Sequence, residues 1–283
     1  MNGDAGQASG ASADGRGGRG RGTRRSLALA GVVALIALVP VLAGVLLGSG
    51  SAATPASGGR YTPVATAATT ATHTAARSAT GGIPAGAGAL VALVRHATAM
   101  RRSPGGATLT ALGTRTEFGS PMALWVVAHV PGWLGVVSPL AGNGRVGWIP
   151  QSATTLGRVD WELKVSLSAR RLAVLSGGRV LARFTVAIGS AAAPTPTGRF
   201  AVTDRLTTGD PSGPYGCCIL ALSAHSPHAI QGWTGGNRIA IHSTPDTESL
   251  GQPDSHGCVR VTLPEGRWLL DHVPLGTPTL ISS

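Results

Sequence analysis

The sequence predicts a mainly β protein with an N-terminal transmembrane helix, a small β-barrel and a C-terminal strand-rich region that carries one short helix. Three features of the 283-residue chain predict this class. An uncharged apolar run covers residues 26–48, short apolar runs broken by Gly and Pro cover residues 87–154, and alternating apolar residues recur across residues 158–283. Short or alternating apolar runs between turn residues are typical of strands.

The N-terminal segment predicts where the chain resides. Residues 1–25 form a basic tail rich in Gly and Arg, and residues 26–48 follow as an apolar run close to the ~20 residues that a membrane-spanning helix needs. Arginines before the span favour a cytoplasmic tail and an extracytoplasmic remainder. A cleavable signal peptide, with its usual apolar stretch of ~7–15 residues, is the alternative. We expect a single-pass cell-membrane protein, or a secreted one if a peptidase cleaves the chain at residues 51–53.

The middle of the chain predicts a tether followed by a small domain. Residues 49–86 are mostly Ala, Thr, Ser, Gly and Pro and predict a disordered linker, because they cannot bury enough apolar surface to fold. Within residues 87–154, strands are expected at residues 90–94, 124–127, 133–137 and 146–149. The spacing of these strands and the closing Gly-Trp-Ile resemble a bacterial SH3-like domain. The resemblance implies cell-wall binding, with a spacer role as the alternative.

The C-terminal region predicts further strands and one helix. Leu163, Val165 and Leu167 alternate, and the turn at residues 176–178 predicts a hairpin. Pro264 after Thr262 predicts a capped helix start, with Trp268, Leu269 and Leu270 on its buried side.

The charge distribution argues against a nucleic-acid partner. The whole chain carries +11, but from Arg158 onward ten Arg and one Lys oppose nine acidic residues, a balance of +2. No basic stripe interleaved with aromatic residues occurs in that region.

A cluster of thiol and imidazole groups marks the candidate site. Residues 255–260 read Ser-His-Gly-Cys-Val-Arg, and residues 241–244 read Ile-His-Ser-Thr. A free cysteine has a pKa near ~8.5, so nucleophilic catalysis needs a basic or cationic neighbour. Gly257 can adopt a left-handed backbone, which would let its N–H and that of Cys258 form an oxyanion hole.

A zinc site at His242, His256 and Cys258 is the alternative, although structural zinc usually takes four ligands.

These residues resemble the L,D-transpeptidase catalytic domain of the YkuD family. The resemblance covers roughly residues 159–283 and includes a Thr-Pro-x-Gly-x-Phe-like turn at residues 194–200 and a closing strand at residues 275–281. It implies a YkuD-type β-sandwich. Papain-like and NlpC-type peptidases fit poorly, because their cysteine precedes the histidine.

The resemblance implies a role for each matching residue. Cys258 would be the nucleophile, His242 its base, and the carbonyl of Ser243 would orient the imidazole ring. The other implied site residues are His256 and Gly257 in the catalytic site and Arg260 and Ser255 for substrate binding, with Arg260 suited to a carboxylate. Some relatives add a tyrosine near the oxyanion hole, and this chain offers Tyr61 and Tyr215. No metal or organic cofactor is implied.

The implied reaction is peptidoglycan crosslinking. Stem peptides would be joined through their third residues by way of a Cys258 thioester, and carbapenem β-lactams would inhibit the reaction. An L,D-carboxypeptidase of the same fold and a non-catalytic cell-wall-binding protein are the alternatives.

The three cysteines constrain the redox chemistry. In an oxidising compartment three thiols cannot all pair within one chain. Cys217 and Cys218 could form a vicinal bridge or stay reduced and buried, whereas a bridge to Cys258 would abolish nucleophilic chemistry. We expect Cys258 to be the free thiol.

Overall fold

The computed structural model describes residues 61–64, 86–227 and 236–283. Over these ranges the protein is mainly β, as predicted, with strands in two sheets and one short α-helix. The predicted basic tail of residues 1–25 and the predicted span of residues 26–48 lie outside the described residues. Within the described ranges, no helix is both long enough and apolar enough to cross a membrane.

The first sheet has seven strands and follows one extra strand, β1 (Thr62–Pro63), in the chain. Its strands are β2 (Ala89–Val94), β3 (Thr98–Arg101), β4 (Thr108–Leu112), β5 (Ala123–Val130), β6 (Trp133–Val137), β7 (Gly147–Pro150) and β8 (Thr154–Val159). The strand order is β4-β3-β7-β6-β5-β2-β8. Strand β8 pairs with β2 and continues past residue 154, so this sheet reaches into the region predicted to begin the C-terminal domain at residue 158.

The second sheet has nine strands, including β1. The others are β9 (Trp161–Ser166), β10 (Arg171–Ser176), β11 (Arg179–Thr185), β12 (Gly198–Thr207), β13 (Cys218–His225), β14 (Arg238–Thr244), β15 (Val259–Thr262) and β16 (Pro278–Ser282), with α1 (Leu263–His272) between the last two. Strand β10 pairs with β11 across the predicted turn at residues 176–178, which confirms that hairpin.

Strand β12 joins two halves of the second sheet. Its first residues pair with β16 and its last residues pair with β13. Leu163 and Val174 from one half pack in the same buried cluster as Leu220 and Val259 from the other. The two halves therefore share a single core.

Helix α1 covers one side of that core and begins as predicted. Thr262 Oγ1 accepts a hydrogen bond from the Glu265 N–H at 3.3 Å, and Glu265 Oε2 accepts one from the Thr262 N–H at 2.9 Å. This reciprocal capping box satisfies two N–H groups that a helix start leaves free. Leu269 and Leu270 are buried, whereas Trp268 is only half-buried and stacks on His272 with ring centroids 4.7 Å apart.

The opposite side of strands β12–β14 carries a second, smaller cluster. We call it the cysteine face, and its buried members are Leu206, Ile219, Ala221, Ala240 and Cys258. Three aromatic side chains pack against it, namely Tyr61, Phe118 and Tyr215. The cysteine face is therefore covered by aromatic side chains, two of them from segments far away in the sequence.

Residues 61–64 depart from the predicted disordered linker of residues 49–86. Thr62 and Pro63 pair with Thr207 and Leu206 of β12, and the Val64 N–H donates to the Arg205 carbonyl at 2.8 Å. Strand β16 pairs only with the first part of β12, so the remaining edge is open to an extra strand. Edge backbone groups readily pair with another extended segment.

A buried guanidinium connects the loop at residues 113–122 to strand β14. Arg238 is 2% exposed, and its Nε and Nη2 donate to the Leu222 carbonyl at 2.9 and 2.6 Å. Its Nη1 donates to Glu117 in the loop, and its Nη2 lies 3.9 Å from the fully buried Asp204. Asp204 also accepts a hydrogen bond from Thr116 in the same loop.

We expect Arg238→Leu to lower the free energy of unfolding by about 3–5 kcal/mol, because it leaves the buried Asp204 carboxylate without a counter-ion. Arg183→Leu is the matched control, since Arg183 is exposed and such surface changes usually stay within about 0.5 kcal/mol. Denaturant unfolding of the full-length chain measures both. Equal small losses in the two variants would contradict the role of Arg238.

Candidate active site

The parallel pairing of β14 with β15 brings the two halves of the sequence motif together. Ile241 pairs with Val259, and His242 pairs with Arg260. Because side chains two residues apart share one face of a strand, His242 and Ala240 lie on the same face as Cys258 and Arg260. Continuing the register places Cys258 beside Ala240 and diagonal to His242. Diagonal neighbours in a sheet lie about 7–8 Å apart, within reach of a ring side chain.

The segment that carries Cys258 is held on its other side by residues 187–190. The Ser255 N–H donates to the Ile188 carbonyl at 2.9 Å, and the Ser255 carbonyl accepts from the Ser190 N–H at 2.9 Å. Arg260 and Ala187 exchange two backbone bonds of 2.9 and 3.1 Å. The turn before β15 is therefore fixed by backbone bonds at both ends.

The turn itself differs from the predicted oxyanion hole. Gly257 has φ +113°, and a Cβ there would lie 2.9 Å from Ile239 Cδ1, so the position favours glycine. However, the Gly257 N–H donates to Ser255 Oγ at 3.1 Å, and Ser255 Oγ donates to the Cys258 carbonyl at 2.5 Å. One of the two predicted N–H donors is thus already occupied. Ser255, predicted to bind substrate, is buried and uses its hydroxyl inside the turn.

His242 is buried with a defined ring orientation. Its Nδ1 lies 2.9 Å from the Ser243 carbonyl oxygen, which can only accept, so Nδ1 carries the proton. Nε2 is then the free acceptor of the neutral ring. Burial lowers the pKa of His242 to about 4, opposed by the bond to Ser243 and assisted by the positive charge of Arg260. The imidazole is therefore neutral at pH 7 and able to accept a proton.

Cys258 is the free cysteine, as expected, and it is buried. Burial raises the pKa of Cys258 to about 11, although the Ala240 N–H and the charge of Arg260 both act to lower it. The resting thiol is therefore protonated. The sequence motif predicts a basic or cationic neighbour that activates the thiol. This environment instead favours a neutral thiol and a neutral imidazole, because burial disfavours both charged forms.

Tyr215, one of the two tyrosines that the resemblance brought into question, is a neighbour of the site. Its ring packs edge to face on the His242 ring, with centroids 4.9 Å apart. The Tyr61 ring packs edge to face on Tyr215, with centroids 6.2 Å apart. Burial raises the pKa of Tyr215, and the charge of the Cys258 thiolate would raise it further. Tyr215 therefore keeps its hydroxyl proton beside the thiol.

The two remaining predicted residues differ in their placement. The side chain of His256 is exposed and, among the described residues, forms no hydrogen bond or ion pair. Arg260 is half-buried, donates to Asp254 Oδ2 at 3.2 Å and lies 4.0 Å from Asp246 Oδ2. Its charge acts on both His242 and Cys258. The structure thus gathers Cys258, His242, Ser243, Arg260 and Tyr215, with His256 at the surface.

The other two cysteines form the vicinal bridge that the sequence had left open. Cys217 and Cys218 are joined by a disulfide and are buried at the start of β13. Across the described ranges, no group of three or more His, Cys, Asp or Glu side chains is arranged to hold a metal ion.

Comparisons with known proteins agree on one family. The profile of the YkuD L,D-transpeptidase catalytic domain matches residues 160–281. YqjB of Bacillus subtilis strain 168, which is named as an L,D-transpeptidase, is 30% identical over 128 residues, covering 42% of this chain and 69% of YqjB. YkuD of the same strain, also so named, is 29% identical over 124 residues, covering 44% and 67% of the two chains.

Solved structures of named L,D-transpeptidases are also similar. One from Mycobacterium smegmatis covers 56% of this chain and 70% of its own, at 19% identity and TM-score 0.36. L,D-transpeptidase 3 from Mycobacterium tuberculosis, in complex with a faropenem-derived adduct, covers 49% and 73%, at 17% identity and TM-score 0.37. On the match of its C-terminal sequence, the chain belongs to the L,D-transpeptidase family, with a YkuD-type catalytic domain at residues 160–281.

Proposed function

We propose that this chain is a peptidoglycan L,D-transpeptidase that links third residues of stem peptides through a thioester on Cys258. The parallel register of β14 and β15 is the observation that carries the proposal, because it sets a free thiol and a neutral imidazole on one face. Membership of the family supplies the substrate class.

The first half-reaction is acylation of the thiol. As Cys258 Sγ attacks the carbonyl carbon of the stem's third residue, His242 Nε2 accepts the thiol proton and becomes imidazolium. The tetrahedral intermediate then collapses, the peptide bond to the terminal D-alanine breaks, and imidazolium protonates the leaving amine. A thioester remains on Cys258. Splitting the transfer into two steps in this way is what an activated cysteine achieves.

The second half-reaction transfers the acyl group. The side-chain amine of another stem's third residue attacks the thioester, His242 accepts its proton, and the Cys258 sulfur leaves and is reprotonated. Water in place of the amine would make the chain an L,D-carboxypeptidase. The low pKa of His242 suits a group that must be neutral at the start of both steps.

The neighbouring side chains suit this chemistry. Since the Gly257 N–H is occupied, we assign part of the oxyanion stabilisation to the Cys258 N–H and to the protonated hydroxyl of Tyr215. Arg260 would exchange its surface carboxylate partners for a substrate carboxylate. Because Cys258 and His242 are only 5% and 3% exposed, a stem peptide must displace part of the aromatic cover over the cysteine face.

The rest of the chain suits work on the cell wall. We propose that strands β2–β8 form an SH3-like domain that binds the cell wall or acts as a spacer. We also propose that residues 26–48 anchor the chain in the membrane, with its catalytic domain outside the cell. The second sheet would be a YkuD-type β-sandwich. Carbapenem β-lactams, which present a strained acyl group to a thiol, would acylate Cys258.

We expect Cys258→Ala to abolish both stem transfer and carbapenem adduct formation, because no other free thiol exists in the chain when Cys217 and Cys218 are bridged. Intact-mass spectrometry of the full-length chain measures the adduct, and chromatography of disaccharide-tetrapeptide reactions measures products. Crosslinked dimers indicate a transpeptidase, and tripeptides alone indicate the carboxypeptidase. An adduct of wild-type yield in the variant would rule out Cys258 as nucleophile.

Substitution of His242 and of His256 should have clearly different effects on the acylation rate. His242→Ala should slow carbapenem acylation by about 10²–10⁴-fold, the usual contribution of a positioned base. His256→Ala is the matched control and should change the rate little, since its side chain is exposed. Stopped-flow measurement of acylation compares them, and equal losses would remove the assignment of His242 as base.

The pH dependence should reflect the buried neutral pair. Acylation requires neutral His242, whose pKa lies at about 4, so the rate should hold from pH 8 down to pH 5 and fall near pH 4. An unshifted histidine would give an acid limb near ~6.5. Acylation rates across this range provide the measurement, with far-ultraviolet circular dichroism to check folding at each pH. An acid limb near 6.5 would indicate that the imidazole is not buried as described.

A further inference from the structure

The vicinal disulfide lies directly behind the residue that orients His242. Cys218 is the first residue of β13, and β13 pairs with β14, which carries His242 and Ser243. Ser243 is fully buried, and both cysteines are buried beside it. The proposed mechanism gives neither Cys217 nor Cys218 any role.

The Ser243 hydroxyl is held by the bridged cysteines. It accepts a hydrogen bond from the Cys218 N–H at 3.1 Å and lies 3.5 Å from Cys217 Sγ. The same residue's carbonyl accepts from His242 Nδ1 at 2.9 Å. Ser243 is therefore fixed by the bridged cysteines through its side chain and fixes the imidazole through its backbone.

A second route joins the bridge to the imidazole. Gly216 precedes Cys217 with φ +54°, and a Cβ there would lie 2.4 Å from Ser243 Oγ, so the backbone passes close to Ser243. One residue earlier, the Tyr215 ring packs edge to face on His242. Residues 215–218 thus reach His242 both through Ser243 and through the tyrosine ring.

Reduction would change this packing. A disulfide between adjacent residues closes a small covalent ring, which removes rotational freedom from both side chains and from the backbone between them. Two separate thiols regain that freedom and cannot approach each other as closely as bonded sulfurs. Cys217 Sγ lies 3.5 Å from Ser243 Oγ and 3.9 Å from the Leu263 carbonyl oxygen. Because both cysteines are buried, the extra volume must be taken from such neighbours.

We propose that the Cys217–Cys218 disulfide positions His242 through Ser243 and Tyr215, so that acyl transfer by Cys258 is redox-sensitive. The bridged form is the active form, and the dithiol form misplaces the imidazole while the fold persists. This inference rests on the proposed function, because it concerns the rate of the same step. The bridged pair acts through other residues and is a positioning element, not a catalytic one.

The test compares two redox states of the wild-type, full-length chain. A water-soluble trialkylphosphine reduces the bridge: the phosphine gives two electrons and takes the oxygen of one water to become its oxide, while the two protons of that water end on the two sulfurs. The phosphine is removed by desalting under argon before carbapenem is added. Stopped-flow acylation and its pH profile are then recorded for each state.

Reduction should slow acylation about ten- to a hundredfold, the scale expected when a catalytic group is misplaced by a fraction of an ångström to 1 Å. The acid limb should also move up toward the ordinary histidine pKa as His242 loses its close packing, and reoxidation should restore both. Cys217→Ala/Cys218→Ala is the matched control and should be slow in either condition, without response to the phosphine. Ser243→Gly, which keeps the carbonyl and removes the hydroxyl, should lose most of the redox response.

Equal rates and equal pH profiles in the two states would overturn the proposal. So would alkylation of Cys217 or Cys218 in the unreduced protein, or loss of the folded circular dichroism signal on reduction. If the oxidised protein forms no carbapenem adduct, the proposed function itself fails. Peptide mapping of iodoacetamide alkylation at Cys258 then still compares the two redox states, so the two failures are distinguishable.

Discussion

The register between strands β14 and β15 is the constraint on which the site depends. It pairs His242 with Arg260 and so sets Cys258 one step away on the same face. Behind this face, Ile241 and Val259 enter the core under α1. A one-residue slip of β14 would turn His242 into that core, and a one-residue slip of β15 would turn Val259 out of it, since side chains alternate between faces. The apolar core therefore fixes the geometry of the reactive pair.

Burial of the pair determines how its chemistry can proceed. With the pKa of His242 at about 4 and that of Cys258 at about 11, the site holds two neutral groups. In the proposed mechanism, charge develops only as the thiol attacks. Keeping water away favours this arrangement, because an exposed imidazole would be partly protonated. The aromatic cover over the cysteine face provides the exclusion, and the buried Arg238 ties the loop that carries Phe118 to the strand that carries His242.

Local signals in the sequence were sufficient for some features and not for others. The capped start of α1 and the hairpin at residues 176–178 depend on neighbouring residues, and both were predicted. The motif likewise indicated the cysteine, the histidine and the family. No local pattern identifies three other features, because they depend on residues far apart in the chain. These are the packing of Tyr215 on His242, the strand at residues 62–63 and the contact of Ser243 with the cysteine bridge. Strands β3 and β4 were missed because they are short and only partly buried.

The proposed mechanism is that Cys258, a neutral thiol assisted by neutral His242, accepts the acyl group of a stem peptide. Its most direct test is intact-mass spectrometry of the full-length chain quenched in acid shortly after mixing with a disaccharide-tetrapeptide, followed by peptide mapping. We expect a mass increase equal to the mass of the substrate less that of D-alanine, located on Cys258, and no such increase in His242→Ala at the same mixing time. No adduct, or an adduct on another residue, would contradict it.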